Sequence, residues 1–135
     1  MTLSTVPFAI VVEDDPIILM GTTSILEDAG FRVHESFDGD EAVLLLEKHW
    51  ESTVLLFSDV DMPGSMNGFA LARHVAEHWP LIDIVIASGH MLPNQRDMPE
   101  KATFITKPFS QRTVLTHLNQ ILPDDKKPEP LKIAV

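Results

Sequence analysis

Short apolar runs alternate with longer stretches of helical spacing along most of this chain, and that alternation limits the possible folds more than any other feature. The runs FAIVV (8–12), VLLF (54–57), IDIVIA (82–87) and TFIT (103–106) have the length and branched composition of buried strands. FRVHES (31–36) alternates apolar and polar residues, as a half-covered edge strand does. Between these runs, residues 16–29, 40–50, 69–79 and 111–122 place apolar side chains at three- and four-residue steps, which predicts helices. Strict alternation of strand and helix predicts an α/β fold: a doubly wound, five-stranded parallel sheet with helices on both faces and right-handed crossovers.

Helix starts are marked in the sequence. Asp15 precedes Pro16, an N-cap followed by proline at the first helical position. Asp38 and Glu41 have the spacing of a capping box, and Ser110 can cap the helix that follows it. Residues 90–102 carry Pro93 and Pro99, which leave room for little more than one helical turn, so the fourth helix is expected to be short or irregular. Residues 123–135 hold three prolines and six charges and are expected to be a disordered tail.

A chain of 135 residues suits one domain. We divide it into an N-terminal extension (1–6), a domain (7–122) and the tail (123–135), with no sequence left for an effector domain. The net charge of −10 argues against unaided binding to nucleic acid or to an anionic membrane. Without cysteine there is neither disulfide nor thiolate metal site, which fits a cytoplasmic protein, and no signal-peptide core or membrane span is apparent.

In an open parallel sheet, ligands sit beyond the carboxyl ends of the strands. The residues just past the predicted strands are Glu13, Asp14 and Asp15 after the first, Ser58 and Asp59 after the third, Ser88 after the fourth and Lys107 after the fifth. Taken one at a time, Asp14 and Asp15 can be helix caps, and Asp59 and Asp61 turn formers. As a set on one edge they raise a different question. Two carboxylates about 4 Å apart repel by about 4 kcal/mol at an effective dielectric near 20. A divalent cation and a lysine would offset that repulsion, and an all-oxygen donor set favours Mg²⁺. An ionised carboxylate in such a place can attack phosphorus and form an aspartyl phosphate, while Lys107 and the Ser88 hydroxyl neutralise and hold the phosphoryl oxygens.

IVVEDDP, SDVDMPGSMNG, ASGH and FITKPF resemble, in order and close to the expected spacing, the four motifs of the receiver domain of two-component response regulators. The resemblance covers residues 7–122. It implies a flavodoxin-like sheet of order 2-1-3-4-5 and the role of a phosphoacceptor signalling protein rather than an enzyme. By it, Asp59 resembles the phosphoacceptor. Asp14, Asp59 and the backbone carbonyl of Asp61 resemble the Mg²⁺ ligands, with Glu13 acting through water. Lys107 resembles the phosphate-contacting lysine, Ser88 the switch hydroxyl and Phe104 the aromatic switch residue. Asp61 and His90 stand where they could set the phosphate lifetime.

The implied partners are a sensor histidine kinase or histidine phosphotransfer protein, and a downstream protein. The implied state is a monomer or weak dimer. Three features depart from the commonest pattern: one extra residue between Pro63 and Asn67, Asn67 in place of aspartate, and a short interval from Ser88 to Lys107.

Other readings are weaker. His74 and His78 have metal-ligand spacing on a helix but no evident third ligand. Asp-Val-Asp also resembles the nucleophile motif of haloacid-dehalogenase-type phosphatases, which place it after their first strand. A flavodoxin-like nucleotide binder would need a phosphate-cradling loop where this chain has Glu-Asp-Asp-Pro. A receiver-fold binding module that is never phosphorylated is the remaining alternative.

Overall fold

The computed structural model describes residues 6–89 and 98–133. Five parallel strands, β1 (Phe8–Val12), β2 (Arg32–Ser36), β3 (Thr53–Asp59), β4 (Asp83–Ser88) and β5 (Thr103–Thr106), form one sheet in the order β2-β1-β3-β4-β5. This is the expected doubly wound topology. The helices are α1 (Pro16–Asp28), α2 (Gly39–His49), α3 (Gly68–His78), α4 (Gln111–Ile121) and a short α5 (Glu129–Ile133).

The period of two along each strand sorts the core into two layers. Ala9, Val11, Leu55, Phe57, Val85, Ala87 and Ile105 face α1 and α4, meeting Leu19, Leu26, Val114 and Leu118. Ile10, Val12, Leu56, Ile84 and Ile86 face α2 and α3, meeting Leu46, Leu71 and Val75. Central strands buried on both faces must read as continuous apolar runs, as β1, β3 and β4 do. β2 lies at the edge, and its first four residues are at least partly exposed.

The caps form as read. The Asp15 carboxylate accepts from the N–H groups of Ile17 (2.9 Å) and Ile18 (3.3 Å), and Ser110 accepts from the Thr113 N–H at 3.1 Å. Asp38 accepts from the Glu41 N–H at 2.8 Å, while the Glu41 carboxylate reaches back to the N–H of Phe37 at 3.1 Å. Most of the stretch expected to hold a short or irregular helix, 90–102, lies outside the described residues. Its described part, 98–102, is a turn closed by Ala102 N–H to Pro99 O at 3.0 Å. Among the described residues no helix is long and apolar enough to cross a membrane.

The expectation of a disordered tail is overturned. Residues 124–126 form a turn of 3₁₀ helix, α5 follows, and Leu131 is fully buried in the α1/α4 core layer that also holds Leu26 and Leu118. Pro128 and Pro130 press onto Gly30, whose φ of +102° places the chain where a Cβ would stand 2.6 Å from Pro128 Cβ. Asn119 donates to the Leu131 carbonyl at 3.0 Å, and Lys126 pairs with Asp83 at 3.0 Å.

Composition misleads here for a physical reason. Prolines have little backbone freedom to lose on ordering, and one deeply buried leucine contributes roughly 1.5–3 kcal/mol. Asp124, Asp125, Glu129 and Lys132 meanwhile stay exposed, and the half-buried Lys126 and Lys127 are paired with Asp83 and Asp124. Leu131→Ala should therefore destabilise the protein by roughly 2–5 kcal/mol in urea unfolding. An unchanged midpoint would mean that the tail contributes nothing to the fold.

Candidate functional site

The chain runs outward from β1 to β2, then returns to β3 on the other side of β1. The sheet therefore has its switch point between β1 and β3, and side chains at the carboxyl ends of those strands share one crevice. The first residues past β1, Glu13 and Asp14, and the last residue of β3, Asp59, meet there. One carboxylate oxygen from each lies within 4.8 Å of the others. Glu13 and Asp59 are buried and Asp14 is exposed.

Lys107, one residue beyond β5, closes the crevice. Its Nζ donates to Glu13 Oε1 at 2.6 Å and to Asp59 Oδ1 at 2.9 Å. The stem lies above Gly89, where a Cβ would stand 3.6 Å from Lys107 Cβ. The second oxygen of Glu13 accepts from the Asp15 N–H at 3.1 Å, so both of its oxygens are engaged by the protein.

The electrostatics follow from burial and pairing. Burial raises the Glu13 carboxyl above its ordinary value, and the charge of Asp59 adds to this. The hydrogen bonds from Lys107 and the Asp15 N–H pull it back without cancelling the rise. Burial alone would lower Lys107, but its hydrogen bonds to Glu13 and Asp59, helped by both charges, hold it above its ordinary value. The ammonium is charged at neutral pH.

These groups line a cavity of about 760 Å³ at the carboxyl edge. Glu13, Asp14, Asp59, Asp61 and Lys107 form its polar wall, and Ile18, Ile25, Pro108 and Phe109 an apolar one. Three clustered carboxylates offer hard oxygen ligands, which fits Mg²⁺ and not a thiolate- or imidazole-bound metal. A cation held by such a cluster would stabilise negative charge on a bound oxyanion, and an ionised carboxylate in that place is a possible nucleophile.

The other expected site residues fall as follows. Ser88 ends β4, is buried, and its carbonyl accepts from the Lys107 N–H at 3.0 Å. Asp61 is exposed on the cavity rim. Phe104 lies opposite Ile86 in the β4–β5 register and packs into the α2/α3 layer. His90 lies outside the described residues. His74 and His78 stack at 4.0 Å, and Asp15 is a helix cap that also lines the cavity.

Two contacts were not foreseen from sequence. Gly68 packs on the backbone of the residue at the centre of the site: a Cβ there would stand 2.1 Å from the Asp59 carbonyl oxygen. Its own N–H donates to Val60 O at 2.9 Å. The Asn-Gly pair was the available signal, since such a glycine often marks close backbone approach. Asn67 caps α3 by accepting from the Ala70 N–H at 2.9 Å, so it performs the capping open to an aspartate. The tie between Ser65 and Asp40 on α2 is the second.

Comparison with known proteins decides the family. The model of the response regulator receiver domain matches residues 9–119. This chain belongs to the receiver domain family. It is 32% identical over 116 residues to sensor kinase CckA of Brucella abortus, covering 84% of this chain but only 12% of that protein's length. PilH of Pseudomonas aeruginosa is 25% identical over 118 residues, with 84% of this chain and 95% of PilH covered. Among solved structures, a response regulator receiver protein from Sinorhizobium medicae superposes with a TM-score of 0.79 at 25% identity, over 86% of this chain and 94% of that one. A receiver is a signalling domain of two-component systems, and the fold and the acidic crevice of this chain are of that kind.

The raised Glu13 carboxyl has a consequence for stability. The native state keeps this proton at pH values where the unfolded chain, with an ordinary value of 4.5, has released it. The contribution is fully present below that value and is lost as pH rises through the raised one. Glu13→Gln should therefore flatten the fall in stability over that window. Urea midpoints from about pH 4 to about pH 7 in Mg²⁺-free buffer measure this, and parallel curves for the two proteins would contradict it.

Proposed function

We propose that this receiver domain accepts a phosphoryl group on Asp59 from a phosphohistidine of a sensor histidine kinase or histidine phosphotransfer protein. The observation that carries the reading is the set of three carboxylates within 4.8 Å, with one lysine bonded to two of them, at the switch point of the sheet. Such a set is costly to assemble for structural reasons alone.

An Asp59 carboxylate oxygen forms the new O–P bond as the P–N bond to the donor's imidazole breaks, leaving its electron pair on the ring nitrogen. No base is needed, because a carboxylate is a nucleophile in its ionised form. Asp14, Asp59 and the Asp61 backbone carbonyl would hold Mg²⁺, which would supply positive charge to the phosphoryl oxygens. Glu13, whose two oxygens are engaged by Lys107 and Asp15, fits a role through water. Lys107 carries a second positive charge to the same place. Ser88, at the end of β4, is the hydroxyl that follows the phosphoryl group.

Phosphorylation then shifts the population between two arrangements of the Ser88 and Phe104 region, and a downstream protein reads the change. The apolar wall of the cavity, with exposed Ile17 and Met20 on α1, supports approach of a protein donor rather than a free nucleotide. The acidic net charge and the absence of cysteine support a cytoplasmic setting, without nucleic acid or membrane as direct partners. The reading is that of a signalling protein, monomeric or weakly dimeric, and not of a phosphatase with turnover.

Intact mass after incubation with Mg²⁺ and acetyl phosphate tests this. The wild type should gain one phosphoryl group, and Asp59→Asn or omission of Mg²⁺ should abolish the gain. If Asp59→Asn gains it as well, another residue is the acceptor. If neither protein is labelled even by a phosphohistidine donor, the domain is a receiver-fold binding module. Asp61 on the cavity rim and His90, two residues past Ser88, should set the phosphate lifetime. Asp61→Asn and His90→Ala should each change the first-order decay of the phosphorylated form, and decay rates equal to wild type would remove that role.

A further inference from the structure

The loop between β3 and α3 carries Asp61 and is tied to α2, a helix that the reaction above does not otherwise use. Ser65 donates twice to one carboxylate, its Oγ to Asp40 Oδ1 at 2.6 Å and its N–H to Asp40 Oδ2 at 3.2 Å. Gly64 makes this possible. Its φ of +100° turns the chain in a way that L side chains resist, and a Cβ there would stand 3.1 Å from Asp40 Oδ2. Met66 then lies against Gly39 at the start of α2, where a Cβ would come within 2.6 Å of Met66 Cγ. The two Ser65 bonds hold the Asp40 carboxyl below its ordinary value, so it remains an ionised acceptor at neutral pH. The far end of the loop is fixed too, by the Asn67 cap and by Gly68 packed on the Asp59 carbonyl.

We propose that Asp40 is a positioning residue: through Ser65 it holds residues 61–66 in the conformation that presents the Asp61 backbone carbonyl to a divalent cation. The inference rests on the reading of Asp14, Asp59 and Asp61 as a Mg²⁺ site and deepens it. A loop tied down beforehand has less conformational entropy to lose when the cation binds. Contacts that orient metal ligands from outside the ligand set typically change affinity by 10–100-fold, and an exposed tie belongs at the low end. The same tie links the site to α2, so cation binding should tighten the start of that helix.

Asp40 also carries charge, which could attract a cation without any clamp, so the test must separate the two. Ser65→Ala keeps the charge and removes the shorter bond. Asp40→Asn removes the charge and keeps an acceptor for Ser65. Mg²⁺ affinity of the full chain by calorimetry, with amide hydrogen exchange of residues 61–66 in the absence of Mg²⁺, gives two independent readouts.

Asp40→Ala should weaken Mg²⁺ binding roughly 10-fold, Ser65→Ala should weaken it less, and Asp40→Asn should recover part of the loss. The double variant should be little worse than Asp40→Ala, since the two residues act as one unit. Exchange in 61–66 should be faster in both alanine variants. If Ser65→Ala binds as wild type while both Asp40 variants weaken equally, the effect is charge alone and the clamp is overturned. If all variants bind as wild type, the clamp is overturned and the Mg²⁺ site stands. If the wild type takes up no Mg²⁺, the site reading falls and the clamp with it.

Discussion

One ammonium group holds this site together. Lys107 donates to Glu13 and Asp59, residues 94 and 48 positions away in the chain, and so joins the ends of β1, β3 and β5 across the intervening β4. The contact exists because the sheet order places β3 beside β1 and because β4 ends in the small residues Ala87 and Ser88, with Gly89 just beyond. Without the lysine, two buried carboxylates would face each other beside an exposed third. Removing one member of such a set is costly, since the charges left behind have no compensation. The polar edge and the apolar sheet are thus a single problem in stability, solved by residues drawn from three strand ends.

The neighbouring backbone is held as closely as the charges. Gly68 leaves no room for a side chain between α3 and the carbonyl of Asp59, so the start of that helix sets where β3 ends. Ser65 and Met66 bind the same loop to α2. A reacting group that must lie within a fraction of an ångström of its best position is better carried on rigid elements than on a free loop. Here α2 and α3 both grip the segment that follows Asp59. At the other pole the tail closes the α1/α4 layer with Leu131, so both ends of the sheet are covered by chain that is not itself sheet.

Much of this was legible in the residues. Alternating apolar runs and helical spacing predicted the five strands and the four longer helices to within about two residues at each end, an ordinary margin for element boundaries. Hydrogen-bonding side chains marked the starts, as Asp15, Asp38 and Ser110 did. The acidic edge was legible because parallel topology sends strand ends to one side, so Glu13, Asp14, Asp59 and Lys107 could be grouped before any contact was known.

Contacts between distant segments were not legible. The Ser65–Asp40 tie depends on how two loops happen to lie, and neither residue announces it. The tail was misread because proline and charge counts describe average behaviour, whereas a single leucine, Leu131, joins the α1/α4 core layer. Asn67 was read as a departure from the pattern, yet its amide oxygen caps α3.

The central claim is that the carboxyl edge of the sheet is built to receive a phosphoryl group at Asp59. Beryllofluoride, an unreactive mimic of that group, tests it without dependence on any donor. Titration in the presence of Mg²⁺, followed by backbone amide chemical shifts, should give saturable changes centred on Asp59, Ser88 and Lys107 and spreading to Phe104, with none in Asp59→Asn. Saturable changes that persist in Asp59→Asn, or no changes in the wild type, would contradict the account.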